Sequence, residues 1–275
     1  MSSCLCGELF SSLLAVALVL CLFLTACGGT PPPPVRLVMA GSPALQPLMQ
    51  ELAAAYYKQH REVSIEVQAT DSLAGARAVR EGTADIGLAS RSLAEEEAAG
   101  LTATLIAREP LAIVVNAANS LDMVSGEELR RLFAGRVNDW GELGGDGASE
   151  VVVLSREDGA ETRGILESLV MAGTRVSPNA RVLPSDAAVV ETVAATPGAL
   201  GYAARGSLTP QTKALSIDGA APTPLAVQRG EYRLARPFYF LTRGQPGGAV
   251  KGFVDFVLSA EGQRIVQRLR YARVK

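Results

Sequence analysis

Hydrophobic and polar residues along the chain repeat with two different periods, one typical of strands and one typical of helices. Residues 63–69 alternate hydrophobic and polar side chains, and this pattern predicts a strand with one exposed face. Residues 43–56 place apolar side chains three and four positions apart, which predicts a helix with one buried face. Ser42 and Pro43 suit the start of that helix, because serine caps N-termini and proline fits the first turn.

The same two patterns continue to the C-terminus and predict an α/β fold, in which strands and helices alternate. Further strands are expected at 35–40, 85–89, 110–116, 151–154 and 232–242, with one more beginning at 200. Further helices are expected at 73–82 and 126–133, after Asp158, from Ser185, and in two C-terminal stretches joined near Glu261. Residues 206–230 are rich in Gly, Pro and Thr and are expected to form loops and short strands. The helix after Asp158 is expected to bury Ile165, Leu166, Leu169 and Val170.

The N-terminal residues differ in composition from the rest of the chain. Residues 9–24 are uncharged and nearly all apolar, which is short for a membrane span of roughly 20 residues and fits the core of a signal peptide. Leu24-Thr25-Ala26-Cys27 resembles the bacterial lipobox, in which the cysteine becomes the lipidated first residue of the mature protein. We therefore expect residues 1–26 to be a lipoprotein signal peptide and Cys27 to carry the lipid. The alternative is an ordinary anchor helix that contains a cysteine by chance.

Residues 27–34 contain two glycines and four consecutive prolines. Such a proline run favours an extended polyproline II helix of roughly 3.1 Å per residue. We expect this segment to act as a short, stiff tether between the lipid and the folded domain. The protein would then lie outside the cytoplasm, lipid-anchored to the bacterial cell membrane or to the outer membrane.

Composition narrows the chemistry of the domain. The 275 residues include 26 basic and 28 acidic residues, a formal net charge of −2, and 5% aromatic residues. A nucleic-acid partner is not expected. Binding of a phosphate backbone needs a basic surface and stacking of bases needs aromatic side chains, whereas this chain is weakly acidic and poor in aromatic residues. The cysteines all lie at or before Cys27, and His60 is the sole histidine. This excludes a cysteine nucleophile, a thiolate metal site and a multi-histidine metal site from the rest of the chain, and no cofactor is expected.

Six segments, in order along the chain, resemble the phosphate-binding proteins of bacterial ABC importers. They are residues 41–48, 82–91, 133–140, 196–202, 232–239 and 258–263. The second segment reads GTADIGLASR and is close to the family's pattern G-x-x-D-I-G-x-A-S-R. Together the segments span nearly all of residues 36–275.

The resemblance implies a two-lobe periplasmic-binding-protein fold of type II, whose α/β lobes are joined by a two-strand hinge and close on a ligand. Residues 35–112 and 230–275 would form lobe 1, and residues 113–229 would form lobe 2. The resemblance also implies a monomeric binding protein without enzymatic activity. It would take phosphate or a similar small oxyanion between its lobes and deliver it to an ABC permease in the membrane.

An anion site is also supported by physical chemistry. Three helix N-termini are predicted, after Ser42, near Ser72 and after Asp158. Helix N-termini present free N–H groups and a positive dipole end to an anion. Serine and threonine hydroxyls add donors, and arginine adds charge with a planar donor geometry. The expected anion-binding residues are Ser42, Ala44, Ser72, Arg91, Arg156, Ala160, Glu161 and Thr162.

Each of these residues also has an ordinary structural interpretation. Ser42 and Ser72 would fit plain helix caps, and a lone arginine is usually solvated or paired at the surface. Asp85 is assigned such a structural role, in which it holds the loop before Ser90. Only the order of the six family segments favours the joint interpretation as an anion site.

Four positions depart from the family's pattern. The family's second-lobe loop reads Arg-x-x-x-Ser-Gly-Thr, whereas residues 156–162 read REDGAET. Ala160 lacks a hydroxyl donor, and Glu161 brings a negative charge to a position where the family has glycine. Pro43 and Leu73 replace a threonine and a glycine of the family. A carboxylate in a desolvated cleft would repel a phosphate dianion.

Glu161 has two interpretations. In the first, Asp158 and Glu161 form a capping box, which turns the Glu161 side chain back onto its own helix. In the second, Glu161 faces the ligand, and it accepts a hydrogen bond from a protonated anion or from a ligand other than phosphate. In that position it could also pair with Arg91 across the closed cleft.

The main hypothesis is therefore a lipid-anchored, extracytoplasmic solute-binding protein of an ABC importer. The alternative is a sensory or adaptor module that keeps the fold and has altered or lost anion binding. A hydrolase on this fold is disfavoured, because the domain after Cys27 has no cysteine and one histidine.

Overall fold

Ten strands and nine helices make up the described part of the computed structural model, residues 33–145 and 150–274. The strands are β1 (Val35–Gly41), β2 (Val63–Ala69), β3 (Ile86–Ala89), β4 (Leu101–Asn116), β5 (Met123–Val124), β6 (Val152–Arg156), β7 (Arg181–Leu183), β8 (Ala199–Ala204), β9 (Thr212–Ile217) and β10 (Ala235–Arg243). The helices are α1 (Gln46–Gln59), α2 (Ser72–Glu81), α3 (Glu95–Ala98), α4 (Gly126–Phe133), α5 (Glu161–Leu166), α6 (Asp186–Ala195), α7 (Pro224–Gln228), α8 (Gly248–Leu258) and α9 (Ala260–Arg268). The alternation predicted from the sequence is confirmed.

Hydrogen bonds connect the strands in the order β2-β1-β3-β10-β4-β8-β6-β7, with β9 beside β4 and β5 beside β9. β1 is parallel to β3, and β6 is parallel to both β7 and β8. β10 is antiparallel to β3 and β4, and β4 is antiparallel to β8 and β9. At least one helix separates the members of each parallel pair in the sequence, because a parallel connection needs a crossover.

The 16-residue strand β4 joins the two halves of this arrangement. Its residues 101–110 pair with β10, and its residues 111–116 pair with β8 and β9. The sequence predicted a strand only at 110–116, because most of the preceding residues are partly buried and form no continuous apolar run. The predicted division into lobes near residues 112 and 229 stays a prediction.

The apolar end of β4 is buried on both faces. Leu111, Ile113 and Val115 belong to one hydrophobic cluster, with α4, β8 and β9. Ala112 and Val114 belong to another, which α6 covers. This alternation follows the two-residue period of a strand and confirms the strand predicted at 110–116.

A separate hydrophobic core lies at the other end of the sheet. It is formed by β1, β3, β10, α1, α8 and α9. Phe238, Phe240 and Phe253 are fully buried there, and the rings of Phe240 and Phe253 stack with centroids 5.8 Å apart. Residues from Arg36 onward nevertheless form one compact unit.

The helix predicted after Asp158 is shorter and less regular than expected. α5 begins at Glu161, and a π-helical turn at Glu167–Met171 follows it. The wider π turn changes the register of the side chains. Val170 is buried as predicted, but Leu169 is 52% exposed, so the prediction for Leu169 was wrong.

Two further boundaries differ from the predictions. The region 206–230 contains the short helix α7 as well as β9, and the two C-terminal helices meet at Ser259 rather than near Glu261. The predicted signal peptide and Cys27 lie outside the described residues. Within those residues, no helix has the length and apolar character needed to cross a membrane.

Candidate functional site

Three serine hydroxyls from separate segments meet in the interior of the molecule. Ser42 follows β1, Ser72 is the first residue of α2, and Ser90 follows β3. All three are almost completely buried. Ser42 Oγ lies 2.8 Å from Ser90 Oγ, and the Ser90 N–H donates to Ser72 Oγ at 3.0 Å. We call these three residues the serine cage.

The fold brings the three residues together through parallel pairing and one close helix contact. Because β1 and β3 are parallel, Ser42 and Ser90 follow their carboxyl ends at the same edge of the sheet. The Ser42 N–H also donates to the Leu88 carbonyl of β3 at 2.9 Å. α2 approaches β1 closely at Gly75, where an added Cβ would lie 2.4 Å from the Ala40 carbonyl oxygen. This approach places the first residue of α2 beside the strand ends.

The carboxylate of Glu161 occupies the serine cage. Ser72 Oγ donates to Glu161 Oε1, and Ser90 Oγ donates to Glu161 Oε2. Ser42 Oγ donates to the same Oε2 at 3.1 Å. Glu161 begins α5 in the segment predicted as lobe 2, whereas the serines lie in segments predicted as lobe 1. One side chain therefore links two parts of the chain that the sequence predicts to be separate lobes.

The capping-box interpretation of Glu161 was wrong. Ala160 is the N-cap of α5, and the cap has no side-chain hydrogen bond. The Asp158 carboxylate instead pairs with Arg163 at 2.6 Å. Asp158 therefore forms no capping box with Glu161, and the Glu161 side chain extends into the serine cage.

The suggested pairing of Glu161 with Arg91 was also wrong. Arg91 donates to both carboxylate oxygens of Glu97, at 2.6 and 2.9 Å. The hydrogen bond from Arg91, aided by the Ala94 N–H, lowers the pKa of Glu97 to about 2. The guanidinium of Arg91 is thus held by its own segment of the chain.

Carboxylates also bind Arg156 and Thr162, the side-chain donors predicted for the second lobe. Arg156 donates to Glu157 through Nε and Nη2, at 3.0 and 2.9 Å, and its Nη1 pairs with Asp186. Thr162 Oγ1 donates to Asp186 Oδ1 at 3.2 Å. Burial disfavours the charged form of Arg156, but the two carboxylates outweigh it and raise the pKa of Arg156.

Ala44 and Ala160, the two alanines among the predicted site residues, contribute main-chain groups. The Ala44 N–H donates to Ser42 Oγ at 3.4 Å, so Ala44 lies at the edge of the serine cage. The Ala160 N–H donates to the Glu157 carbonyl at 3.2 Å. The structure therefore brings Ser42, Ala44, Ser72 and Glu161 together directly, whereas Arg91 and Arg156 are held in ion pairs with other carboxylates.

Asp71 and Asp85 accept hydrogen bonds from the backbone. Asp71, rather than Ser72, is the N-cap of α2, and its carboxylate accepts from the Ala74 N–H at 2.8 Å. This leaves the Ser72 hydroxyl facing the cage. Asp85 accepts from the Val38 N–H of β1 at 2.8 Å, so it holds β1 at the start of β3 rather than a loop before Ser90.

Sequence reasoning missed four residues of this region. Ser90 stood in a family segment without being named as a site residue, although its place just after a predicted strand was a usable signal. Asp186 opens α6, and only its contacts with Arg156 and Thr162 reveal its role. The other two, Glu109 and Arg236, form a buried ion pair.

Glu109 of β4 and Arg236 of β10 form an ion pair in the interior. Each residue is 8% exposed, and Arg236 Nε donates to Glu109 Oε2 at 2.8 Å. Burial raises the pKa of Glu109, although the neighbouring guanidinium favours its ionised form. Nothing in the sequence pattern distinguishes these two residues from surface charges.

A cavity of about 1030 Å³ adjoins the serine cage. Glu161 forms part of its wall. Five arginines also line it: Arg91, Arg108, Arg163, Arg229 and Arg233. The cavity is therefore rich in cationic donors.

Among residues 33–145 and 150–274, no group of three or more His, Cys, Asp or Glu side chains is placed to hold a metal ion. His60 stacks on the ring of Tyr56 with centroids 4.1 Å apart.

Comparison with known proteins gives the class of this chain. Residues 28–261 match the model of the PBP superfamily domain. The phosphate-binding protein PstS of Bacillus subtilis is 31% identical over 236 residues, which is 84% of this chain and 77% of that protein.

Two solved structures extend the comparison to the fold. A putative phosphate ABC transporter substrate-binding protein with bound phosphate from Clostridium perfringens is 31% identical with a TM-score of 0.76, over 87% of this chain and 100% of the other. An ABC-type phosphate transport receptor from Vibrio cholerae is 31% identical with a TM-score of 0.73, over 86% and 99%.

The chain therefore belongs to the phosphate-binding-protein family within the PBP superfamily. The resemblance seen in the sequence is confirmed. So is the fold class, an α/β, two-lobe fold of the type II periplasmic binding proteins with a two-strand hinge. The family is one of binding proteins, not of enzymes.

Proposed function

We propose that this chain is the extracytoplasmic substrate-binding protein of an ABC importer, and that it binds phosphate or a similar small oxyanion at the serine cage. One observation carries the proposal: the buried hydroxyls of Ser42, Ser72 and Ser90 converge on a single negatively charged group. Hydroxyl donors fixed in a desolvated site favour an anionic ligand, because hydrogen bonds to charged acceptors are strong. The relatives named for phosphate support phosphate as that ligand.

The proposed mechanism is closure of two lobes without covalent chemistry. The serine cage and Ala44 would hold the anion from lobe 1, with Arg91 nearby. Arg156, Thr162 and the main chain at Ala160 would hold it from lobe 2. An anion that contacts both lobes stabilises the closed form, which the permease would recognise.

Calorimetric titration tests the ligand. The purified mature chain is titrated with phosphate, sulfate, molybdate and a phosphonate at millimolar concentration, and we expect heat of binding with at least phosphate. The double variant Ala160→Ser, Glu161→Gly restores the family's residues in the second-lobe loop, and we expect it to bind phosphate more tightly. Absence of binding by both proteins to all four anions would contradict the proposal.

The proposal includes lipid attachment at Cys27, a monomeric mature protein and a permease partner. The lipobox resemblance and the proline-rich tether after it support the attachment. Expression in a bacterial host with a radiolabelled fatty acid provides the test. We expect label in the wild-type protein and none in Cys27→Ala, and label retained in Cys27→Ala would show that the lipid is elsewhere.

A second candidate function is a sensory or adaptor module on the same fold. It is favoured by the carboxylate of Glu161 in the serine cage and by the carboxylates that hold Arg91 and Arg156. Gene neighbourhood separates the two candidates. Adjacent permease and ATPase genes favour import, whereas an adjacent kinase gene or an isolated gene favours signalling.

A further inference from the structure

We propose that Glu161 is a built-in ligand, whose carboxylate takes the place of the external oxyanion in the serine cage and holds the two lobes closed without one. The inference rests on the proposed function, because it takes the serine cage as the oxyanion site. It adds a residue that determines affinity and a closed state that needs no solute.

The contacts of the carboxylate carry the first step. Every hydroxyl of the serine cage lies at a Glu161 carboxylate oxygen, and Ser42, Ser72 and Ser90 are otherwise buried. An external anion needs the same three donors. It would also meet the negative charge of Glu161 at close range, and like charges in a desolvated site repel strongly. Phosphate and the Glu161 carboxylate therefore exclude one another from the serine cage.

The covalent connection gives Glu161 an advantage over a solute. Its carboxylate belongs to the first residue of α5, so the chain delivers it to the serine cage whenever the lobes meet. A tethered group of this kind competes at an effective concentration of roughly millimolar. External phosphate must overcome that concentration, and its apparent affinity falls accordingly.

The adjoining cavity provides a second position for the displaced side chain. Glu161 lines this cavity of about 1030 Å³, and so do Arg91, Arg108 and Arg163. Arg91 and Arg163 already pair with Glu97 and Asp158. When an oxyanion enters the serine cage, we expect the Glu161 carboxylate to turn into this cavity, where the surrounding positive charge favours a carboxylate. Glu161 thus has two positions, one for each state of the site.

The closed state is the second consequence. A two-lobe binding protein closes when a ligand contacts both lobes. Here the link between the serine cage and α5 is made by the protein itself. We therefore expect the chain to stay closed in the absence of phosphate, and removal of the Glu161 carboxylate to let it open.

Phosphate titration of single variants tests the competition. The variants are Glu161→Gly, which removes the side chain, and Glu161→Gln, which keeps its size and removes its charge. Glu191→Gln, at an exposed position of α6, removes the same charge away from the serine cage. We expect both Glu161 variants to bind inorganic phosphate about tenfold more tightly than wild type or better, a change of about 1.4 kcal/mol or more, and Glu191→Gln to match wild type.

The outcomes distinguish this inference from the proposed function. If wild type binds phosphate as tightly as both Glu161 variants, the built-in ligand is overturned and the oxyanion function stands. If no variant binds any of the four anions, the oxyanion function fails, and this inference fails with it. Circular dichroism of each variant confirms folding, and Glu161→Gln keeps the test valid if the glycine variant is unstable.

Small-angle X-ray scattering tests the closed state. We expect phosphate-free wild type to give the same radius of gyration as the phosphate-bound protein. Phosphate-free Glu161→Gly should be larger and should contract when phosphate is added. A phosphate-free wild type as expanded as Glu161→Gly would overturn the closure.

Discussion

Ser90 lies at the centre of the serine cage. Its fully buried hydroxyl lies 2.8 Å from Ser42 Oγ and donates to the Glu161 carboxylate, and its N–H donates to Ser72 Oγ at 3.0 Å. A buried hydroxyl with such partners is costly to remove, because the partners lose a bond and regain no water. Ser90 therefore affects both the occupant of the cage and the position of the other two serines.

We expect Ser90→Ala to weaken phosphate binding in a Glu161→Gly background, where the cage is vacant. A hydrogen bond to a charged group contributes about 1.5–3 kcal/mol, so the dissociation constant should rise roughly tenfold to hundredfold. Calorimetric titration measures the change, and Ser207→Ala at an exposed position serves as the control. Equal affinities for the two serine variants would remove Ser90 from the site.

The site could be predicted only in part from single residues. Ser42 and Ser72 were found because each stands at the N-terminus of a predicted helix, and Ser42 also lies in a family segment. The contact of the Glu161 side chain with the serine cage was not predicted, because the spacing of Asp158 and Glu161 favours a local capping contact. The hydrogen-bond partners of Glu161 lie 71 to 119 residues away in the chain, and a pattern of neighbouring residues cannot predict a contact over such a separation.

At the level of elements, the close packing of α2 on β1 sets the position of the serine cage. Gly75 makes this approach possible, since an added Cβ would meet the Ala40 carbonyl oxygen and the Gly41 Cα, at 2.4 and 2.9 Å. Both neighbours are backbone atoms, so neither can move aside by changing a rotamer. The glycine is thus needed for contact between the two elements rather than for a turn.

We expect Gly75→Ala to destabilise the protein by about 1–3 kcal/mol, the usual cost of overpacking a tight interior. Gly164→Ala in α5 is the matched control, because an added Cβ there meets nothing within 4 Å. That control should be neutral or more stable by about 0.4–1 kcal/mol, since alanine restricts the unfolded chain. Urea unfolding of both variants gives the comparison. A Gly75→Ala protein as stable as Gly164→Ala would show that the contact is not tight.

Prediction of the elements succeeded where burial follows a regular period. α4 covers the predicted residues 126–133 and buries Leu129, Leu132 and Phe133, and α6 begins at its predicted start with Ser185 as the cap. The prediction failed for Leu169, because the hydrogen-bond pattern of the π turn depends on packing that the sequence alone does not show. It also missed half of β4, whose partner β10 lies more than a hundred residues further along the chain.

For the whole molecule, β4 and β10 form the connection between its two ends. Besides the strand pairing, the Leu111 N–H donates to the Leu234 carbonyl at 3.0 Å, and the Tyr232 hydroxyl donates to the Leu111 carbonyl at 2.6 Å. These contacts lie where the chain is predicted to cross between lobes. Glu109 and Arg236 are directly opposite each other on the same two strands. The buried ion pair therefore belongs to the connection rather than to either hydrophobic core.

We expect Glu109→Gln to destabilise the protein by about 3–5 kcal/mol, because it leaves the buried charge of Arg236 without its partner. Replacing both residues, with Glu109→Leu and Arg236→Met, should cost less than the single change, since no unpaired charge remains. Asp255→Asn breaks the exposed pair with Lys251 on α8, and that control should change stability by about 0.5 kcal/mol at most. Urea unfolding measures all three proteins. If Glu109→Gln costs no more than Asp255→Asn, the pair is not desolvated, and the connection between the two ends rests on the backbone pairing of β4 and β10 alone.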